Sequence, residues 1–175
     1  MSSPESRIEL DFWEHATEIL NRMRSDGLLC TVVDTSGKVN VITLGWGQIG
    51  PFYHGHPVCT IAVTPQRYSW RFLEEVPEFV LAVPDNRLSE AASLCGTKSG
   101  RDMDKFKAAG LTPVPSAHVR APSIAECPIN IECRTYTSVH PPHLLLPPEH
   151  RKRPVGEQHT IYFAEVLGTY AYRGS

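Results

Sequence analysis

Two long segments with alternating polar and apolar side chains restrict the folds open to this chain more than any other feature. They are INIECRTYTSV (residues 129–139) and TIYFAEVLGTYAY (residues 160–172). Both are rich in β-branched and aromatic residues, which favours extended strands. Strands of this length need their edges paired or covered, because an open edge invites aggregation. The sequence therefore predicts a large antiparallel sheet that closes, or partly closes, into a barrel.

The other predicted strands are shorter. LLCTVVDTSGKVNVITLGW (residues 28–46) indicates a hairpin that turns at Ser36-Gly37. Further strands are expected at residues 58–65 and at residues 78–84, and the second of these is apolar enough to be central. A proline-rich loop at residues 140–158 joins the two long strands.

The predicted helices are short and stand between strands. A docking helix is expected at about residues 8–24, a second helix at residues 67–76, and two more on either side of residues 95–106, the last ending at Gly110. This arrangement fits a mainly β, Greek-key-like antiparallel barrel with helical insertions better than an open doubly wound sheet. No linker or repeat divides the chain, so residues 1–175 are predicted to form one domain.

Composition excludes several classes of protein. The chain has 175 residues, 41% of them apolar, and contains no apolar run of a length that could span a membrane. Its first residues do not resemble a signal peptide, so we expect a cytoplasmic protein that does not bind membranes. The five cysteines are scattered and odd in number, which predicts free thiols. A net charge of −2 without a basic stripe argues against nucleic-acid binding.

One stretch carries the residue types of an anion-binding site. In CGTKSGRDMDKF (residues 95–106), Gly96 and Gly100 would let the backbone approach a ligand closely. The hydroxyl groups and positive charges of this stretch come from Thr97, Ser99, Lys98, Arg101 and Lys105. The alternative is a helix that begins near Ser99, with Asp102 as its capping-box acid and the basic side chains in solvent.

A second candidate anion site follows a predicted strand. TPQRYSW (residues 64–70) turns at Pro65 and starts a helix near Ser69, so that backbone amides and Arg67 could face a phosphate. A plain capped helix with a surface arginine is the alternative.

Polar and aromatic residues also follow one another along a predicted strand in NVITLGW (residues 40–46). With a period of two, Asn40, Ile42, Leu44 and Trp46 share one face of the strand and Thr43 lies on the other. Ordinary strand residues ending in a core tryptophan would give the same pattern.

Three patterns suggest other chemistry. GWGQIG (residues 45–50) matches the dinucleotide fingerprint, but the following PFYHGHP cannot begin the helix that this fingerprint requires, so the glycines more plausibly bring backbone close to a flat ligand. His54, His56 and Cys59 are closely spaced potential metal ligands, and Cys95 is a potential nucleophile near cations. Neither set has the spacing of a known motif, and both remain alternatives.

Taken together, these stretches resemble the flavin reductase-like, flavoredoxin-type FMN-binding proteins, which are built on a split β-barrel. The matching stretches are NVITLGWG (40–47), TPQRYS (64–69), EFVLAVP (78–84), CGTKSGRDMDKF (95–106), APSIAECPINIEC (121–133) and HTIYFAEV (159–166). Each is weak alone, and the resemblance rests on their occurring in the family's order over roughly residues 25–168.

The resemblance implies a non-covalently bound FMN and a homodimer with the FMN near the subunit interface. The residues implied at the isoalloxazine ring and ribityl chain are Asn40, Thr43, Gly45 and Trp46, with Gly47 beside them. Those implied at the ribityl chain and phosphate are Thr64, Pro65, Gln66, Arg67, Tyr68 and Ser69. The phosphate end would be closed by Ser99, Gly100, Arg101 and Lys105, with Asp102 and Asp104 orienting the basic side chains. Gly45 stands where the family often has serine or alanine, which removes a possible hydroxyl contact with the flavin.

The function implied is that of an FMN-dependent oxidoreductase. NAD(P)H would act as a transient small-molecule donor of hydride to the flavin, and a second small molecule would accept the electrons. Since the cofactor carries out the chemistry, no catalytic side chain is predicted. Two alternatives are an FMN-binding electron carrier without its own NAD(P)H turnover and a ligand-free structural or metal-binding domain.

Overall fold

The structure is a computed structural model, and it describes residues 7–172. Its strands are β1 (Arg7–Glu9), β2 (Leu28–Val33), β3 (Val39–Leu44), β4 (Gly47–Pro51), β5 (Pro57–Val63), β6 (Glu78–Val83), β7 (Pro113–Val114), β8 (Ser123–Ile124), β9 (Ile129–Val139) and β10 (Thr160–Tyr172). Its α-helices are α1 (Ala16–Arg24), α2 (Tyr68–Glu75), α3 (Ser89–Thr97) and α4 (Lys105–Ala109). None of these helices has the length and hydrophobicity that crossing a membrane requires.

Eight of the strands form one antiparallel sheet. Seven follow the order β3-β2-β6-β9-β10-β5-β4, and β1 pairs separately with β10. β3 and β4 are thus the two ends of the path, yet only Gly45 and Trp46 separate them in the chain. Because so short a connection brings the two ends together, the sheet must curl into a barrel with a seam between β3 and β4. The predicted barrel, mainly β with helical insertions, is confirmed.

The two long strands organise the barrel. β9 and β10 pair with each other from Ile161↔Val139 to Tyr170↔Asn130, with two register shifts that let so long a ribbon bend. The first half of β10 also pairs with β5, and its last residues pair with β1. Both strands have the predicted bounds.

The core has an inner and an outer layer because β2 is buried on both faces. Leu28, Cys30 and Val32 point into the barrel, where they join its main apolar cluster. Leu29 points outward and packs beneath α3 and α4 with residues that include Ala92. The helical insertions therefore cover the outer face of β2, β3 and β6.

The predicted helix at residues 8–24 is wrong in its first half. Arg7–Glu9 is a strand, and Leu10 extends its pairing by donating from its amide to the carbonyl of Thr169 (2.8 Å). The Asp11 carboxylate then accepts the backbone amides of Trp13 (2.8 Å) and Glu14 (3.1 Å), which makes a turn. Helix α1 begins only after this turn, at Ala16.

β4 was not predicted. GQIGP contains two glycines and a proline, residues that are poor strand formers, but it pairs with β5 from Gly47↔Ile61 to Pro51↔Pro57. The glycine fingerprint is thus followed by a strand and not by a helix. This agrees with the prediction that the segment is not a dinucleotide-binding motif.

The predicted start of a helix at Ser99 is also wrong. Helix α4 is capped by Asp104, whose carboxylate accepts the amide of Lys107 (3.2 Å). The Ser99 hydroxyl instead accepts the amide of Arg101 (3.2 Å) within a turn that precedes the helix. The predicted end is confirmed: Gly110 follows α4 in the left-handed conformation, with φ of 66°.

Candidate functional site

A cleft of about 370 Å³ opens at the seam of the barrel. Its walls come from the end of β3, the Gly45–Trp46 connection, the end of β5 and the segment that precedes β10. Ile42, Leu44, Ala62 and Val63 supply its apolar surface. Volume and lining are those of a site for a small organic molecule.

The aromatic part of the cleft is formed by Trp46 and His159. The Trp46 side chain is 51% exposed, and its ring meets the His159 imidazole edge to face at 4.6 Å between centroids. Burial lowers the pKa of His159 below its usual 6.5, and the nearby positive charges of Arg153 and Arg67 add to this effect. The neutral imidazole is therefore favoured at neutral pH.

The loop before β10 is held over the cleft by its own hydrogen bonds. The Gln158 side chain accepts the amide of His143 (2.7 Å) and donates to the carbonyl of Arg153 (3.0 Å). The His143 ring also contacts the carbonyl of His159 (2.7 Å between Nε2 and O). These contacts place Arg153 and Glu157 at the mouth of the cleft.

A second cavity of about 110 Å³ continues from the cleft. The two share Ile42, Gln66, Arg67 and Gly96, so they form one continuous depression. The second cavity is enclosed by the turn after α3, by the start of α2 and by Asn40 of β3. Two segments that lie far apart in the sequence, 64–69 and 95–105, therefore meet across it.

Lys105 lies at the closed side of this cavity and is only 4% exposed. Its ammonium donates one hydrogen bond, to the carbonyl of Cys95 (2.8 Å), and no carboxylate between residues 7 and 172 forms a salt bridge with it. Burial lowers the pKa of Lys105, and the positive charge of Arg67 adds to the effect. A buried cation without a counter-ion is costly, which is the property expected where an anionic ligand completes the site.

Arg67 and Arg101 add exposed positive charge at the same cavity. Within the described part of the chain, neither forms a salt bridge with an acidic side chain. The Arg101 guanidinium contacts the carbonyl of Gln66 (3.4 Å) and lies 5.0 Å from the centre of the Tyr68 ring. Together with Lys105, these side chains place three positive charges at one cavity, which suits the binding of an anion.

The floor between cleft and cavity is polar and tightly fitted. Asn40, which is buried, donates from its amide to the hydroxyl of Ser69 (2.9 Å). Gly100 lies against this amide so closely that a Cβ atom at Gly100 would overlap the Asn40 side chain. Thr43 faces the other way, as predicted, and donates to the carbonyl of Ala92 in α3 (2.5 Å).

The structure brings most of the predicted site residues together. Those lining the cleft or the second cavity are Asn40, Thr43, Gly45, Trp46, Thr64, Gln66, Arg67, Tyr68, Ser69, Ser99, Gly100, Arg101 and Lys105. Gly47 lies in β4 and lines a separate groove beside α1, and Pro65 lines neither cavity. Asp102 and Asp104 form no salt bridge with Arg101 or Lys105 among the described residues, so their predicted orienting role is wrong.

Sequence reasoning missed the part of the site that comes from the loop before β10. Arg153, Glu157 and His159 line the cleft, but the loop has no periodic pattern that would place them. The HTIYFAEV stretch pointed to His159 without assigning it a role.

The alternatives of nucleophilic and metal chemistry find no support. All five cysteines are buried free thiols, as predicted, and burial raises the pKa of Cys95 to about 11. That thiol is therefore protonated at neutral pH and a poor nucleophile. Between residues 7 and 172, no cluster of three or more His, Cys, Asp or Glu side chains could hold a metal ion.

The structure combines a partly closed antiparallel barrel with an aromatic cleft that leads into a cation-lined cavity, an arrangement complementary to a flat molecule with an anionic tail. The chain belongs to the flavin reductase like domain family, whose sequence model matches residues 20–174. Membership in this family makes it a flavin-related oxidoreductase domain.

The chain is also similar to a curated relative and to solved structures. An uncharacterized protein of Archaeoglobus fulgidus is 34% identical over 86% of this chain and 77% of its own length. Flavoredoxin of Desulfovibrio vulgaris (Miyazaki F) has a TM-score of 0.67 at 24% identity, covering 83% of this chain and 69% of that one. The FMN-binding domain of a flavin reductases-like enzyme from Shewanella baltica has a TM-score of 0.67 at 17% identity. The match covers 95% of this chain and 77% of that one. These structures share the split-barrel fold.

Proposed function

We propose that this protein binds one FMN non-covalently and uses it as an NAD(P)H-dependent oxidoreductase. The observation that carries the proposal is the continuity between an aromatic cleft and a cavity that contains a buried ammonium without an acidic partner. FMN has the same sequence of parts, a flat ring followed by a polar chain and a phosphate dianion. No other part of the described chain joins these features.

The residues present fit each part of FMN. Lys105 and Arg67 would bind the phosphate, and the Ser99 turn, with Arg101 at its edge, would close this end. Their charges would be neutralised by the dianion, which removes the cost of leaving Lys105 unpaired.

The ribityl chain and ring fit the rest of the depression. The buried Asn40 and Ser69 pair offers polar groups next to the cavity, where the hydroxyls of the ribityl chain would lie. The ring would lie in the cleft, against its apolar surface and Trp46.

Bound FMN would supply the redox chemistry, namely hydride transfer from NAD(P)H and electron transfer to a second acceptor such as free flavin, a ferric chelate or a small organic molecule. The protein's share is binding and orientation. Trp46 and the neutral His159 border the open side of the cleft, where small molecules would approach. Arg153 and Glu157 at the same mouth would contact them.

An FMN-binding electron carrier without its own NAD(P)H turnover is the second candidate. It is favoured by the strand at Gly47–Pro51, which stands where a dinucleotide-binding helix would follow the glycine fingerprint. A donor would then have no dedicated site in this segment.

Two measurements separate these functions. The protein is incubated with FMN, desalted and scanned: retained flavin absorbance supports FMN binding, and its complete loss overturns both candidates. Stopped-flow mixing of the FMN-loaded protein with NADH or NADPH then follows flavin bleaching. Fast bleaching supports the oxidoreductase, whereas bleaching by dithionite alone supports the carrier.

We also propose that the active form is a homodimer. Ile161 and Phe163 alternate with the core residues of β10 and so point away from the barrel, where they stay half-buried. Val139 and Tyr136 of β9 extend this outward apolar face, at 45% and 60% exposure. The face adjoins the cleft, because Thr160 at its edge pairs with Val63. A second copy that covers it would lie beside the bound flavin.

The size of the protein in solution tests the dimer. Light scattering coupled to gel filtration should give twice the mass of 19.5 kDa for the wild type. Phe163→Glu places a charge in the proposed interface and should give a monomer with the same circular dichroism spectrum. A monomeric wild type at micromolar concentration, with and without FMN, would overturn the proposal.

A further inference from the structure

The mouth of the second cavity carries more positive charge than one phosphate requires. Lys98 lines it beside Arg101, and both are exposed. The Lys98 backbone amide donates to the carbonyl of Leu94 (3.0 Å), but its ammonium group forms no hydrogen bond or salt bridge with any residue between 7 and 172. The turn between β2 and β3 brings a further cation, Lys38, to the neighbouring Tyr68.

Two of these cations, Lys38 and Arg101, contact the Tyr68 side chain. Its hydroxyl accepts a hydrogen bond from the Lys38 ammonium (3.0 Å), which lies 5.3 Å from the ring centre, and the Arg101 guanidinium lies 5.0 Å from the same centre. Arg71 also approaches the ring, at 4.8 Å, but it pairs with the Asp34 carboxylate at 3.2 Å. Arg71 is thus neutralised locally, whereas Lys38 and Arg101 are not.

The cavity and its mouth carry more positive charges than the negative charges of one flavin phosphate. A flavin phosphate carries about two negative charges, which Lys105 and Arg67 can balance. Lys38, Lys98 and Arg101 then remain together without a carboxylate partner in the described chain. The protein as a whole has a net charge of −2, so this concentration of cations is local and not a general property of its surface.

We propose that Lys38, Lys98 and Arg101 form a second phosphate subsite, which binds the pyrophosphate of a dinucleotide beside the flavin phosphate site. This inference rests on the proposed function. Tyr68 positions Lys38 and Arg101 through the contacts of its hydroxyl and ring.

Two ligands could supply the second phosphate. In FAD, the second phosphate is bonded to the first through one shared oxygen, so it would emerge from the second cavity at this cation cluster. In NAD(P)H, the pyrophosphate would reach the cluster from outside while the nicotinamide enters the cleft.

The first experiment tests FAD as the source of the second phosphate by comparing the binding of FAD and FMN in one assay. The flavin-free protein is titrated with FMN and with FAD, and binding is followed by flavin fluorescence. The double variant Lys38→Ala/Lys98→Ala should weaken FAD binding about tenfold more than FMN binding, since two exposed phosphate contacts are lost. Lys107→Ala removes an exposed lysine of α4 that does not line the cavity, and it should leave the FAD to FMN ratio of dissociation constants unchanged.

The donor arm uses ADP as a probe of the pyrophosphate. Calorimetric titration of the FMN-loaded protein with ADP should show about tenfold weaker binding in the double variant than in the wild type and the Lys107→Ala control. An effect on FAD alone assigns the subsite to the flavin, and an effect on ADP alone assigns it to the donor. If neither ligand responds to the double variant, the second subsite does not exist. If the wild type does not bind FMN, the proposed function itself fails.

Discussion

Replacing Lys105 with methionine tests the proposed phosphate site most directly. Methionine keeps much of the length and volume of lysine but has no charge, so it fills the same buried space. The lysine is 4% exposed and donates only to the carbonyl of Cys95 at 2.8 Å. Its remaining N–H groups therefore have no partner within residues 7–172 and are available to a ligand.

The expected loss of affinity follows from the loss of a charged hydrogen bond. Such a bond contributes about 1.5–3 kcal/mol, so FMN binding should weaken by roughly 10–150-fold. Riboflavin has the same ring and ribityl chain without the phosphate, and its binding should change by less than about threefold. The ratio between the two ligands is the informative quantity, because general damage to the site would weaken both.

The flavin-free variant should gain stability. Burying an ammonium costs several kcal/mol, whereas leaving the Cys95 carbonyl without its donor costs about 1–3 kcal/mol. We expect the difference to favour the variant by about 1 kcal/mol, or roughly 2–4 °C in Tm. Lower FMN affinity together with higher stability of the variant is the result expected for a residue that binds ligand at a cost to folding stability.

The dependence on pH has a definite sign. Since the folded-state pKa of Lys105 lies below its ordinary value of 10.5, the unfolded chain holds more protons between these two values. The Lys105 contribution to stability without FMN therefore rises with pH through that window. FMN affinity should fall over the same window in the wild type, because the ammonium loses its charge, and should stay flat in Lys105→Met.

Fluorescence titration with FMN and riboflavin measures the affinities, and thermal unfolding followed by circular dichroism measures Tm. Lys107→Met is the matched control, because Lys107 is exposed on the same helix. Equal losses for FMN and riboflavin would refute the placement of the phosphate, as would a variant whose FMN affinity equals that of the wild type.

Four further outcomes are expected. Arg67→Ala should weaken FMN binding by about 1.5–3 kcal/mol and riboflavin binding little; equal effects on both ligands would remove Arg67 from the phosphate site. Trp46→Ala should shift the absorbance spectrum and reduction potential of bound flavin, and identical values would contradict a ring in the cleft. Gly100→Ala should lower stability by about 1–3 kcal/mol, since the new Cβ displaces the Asn40 amide; an unchanged Tm would show that this contact is loose. His159→Gln should reduce the stability loss as pH falls from 6.5 toward the lowered folded pKa of His159, which urea unfolding at several pH values would reveal.

Long strands were predictable because their pattern is repeated many times. β9 and β10 have 11 and 13 residues, and in both sequences apolar and polar side chains alternate over several periods, although the polar Asn130 and Glu132 of β9 are also buried. β4 has five residues with one large apolar side chain, so its local sequence carries almost no signal. It exists because β5 offers an edge, and such a tertiary cause leaves no trace in the segment itself.

Near the beginning of the chain, the sequence pattern predicts more regular structure than the protein has, because the predicted helix starts too early. Phe12, Ala16 and Ile19 have helical spacing, and the pattern was extended too far back. The Asp11 side chain competes for the backbone amides that a helix would use, and this local competition decides the boundary.

Strand ends and glycine turns also revealed much of the candidate site. Segments 64–69 and 95–105 were identifiable from their chemistry, and the structure places them around one cavity. Arg153 and Glu157 could not be placed, since their positions depend on the contacts of Gln158 with the loop backbone.

The seam of the barrel has a mechanical consequence. β3 pairs only with β2, and β4 only with β5, among the strands of the described chain. The two ends of the sheet can therefore separate slightly without breaking ladder hydrogen bonds. A molecule held in the cleft, between the ends of β3 and β5, would link these strands non-covalently and stiffen the barrel. Hydrogen exchange of backbone amides should then slow along β3 and β4 when flavin binds, while β9, paired on both sides, keeps its slow exchange throughout.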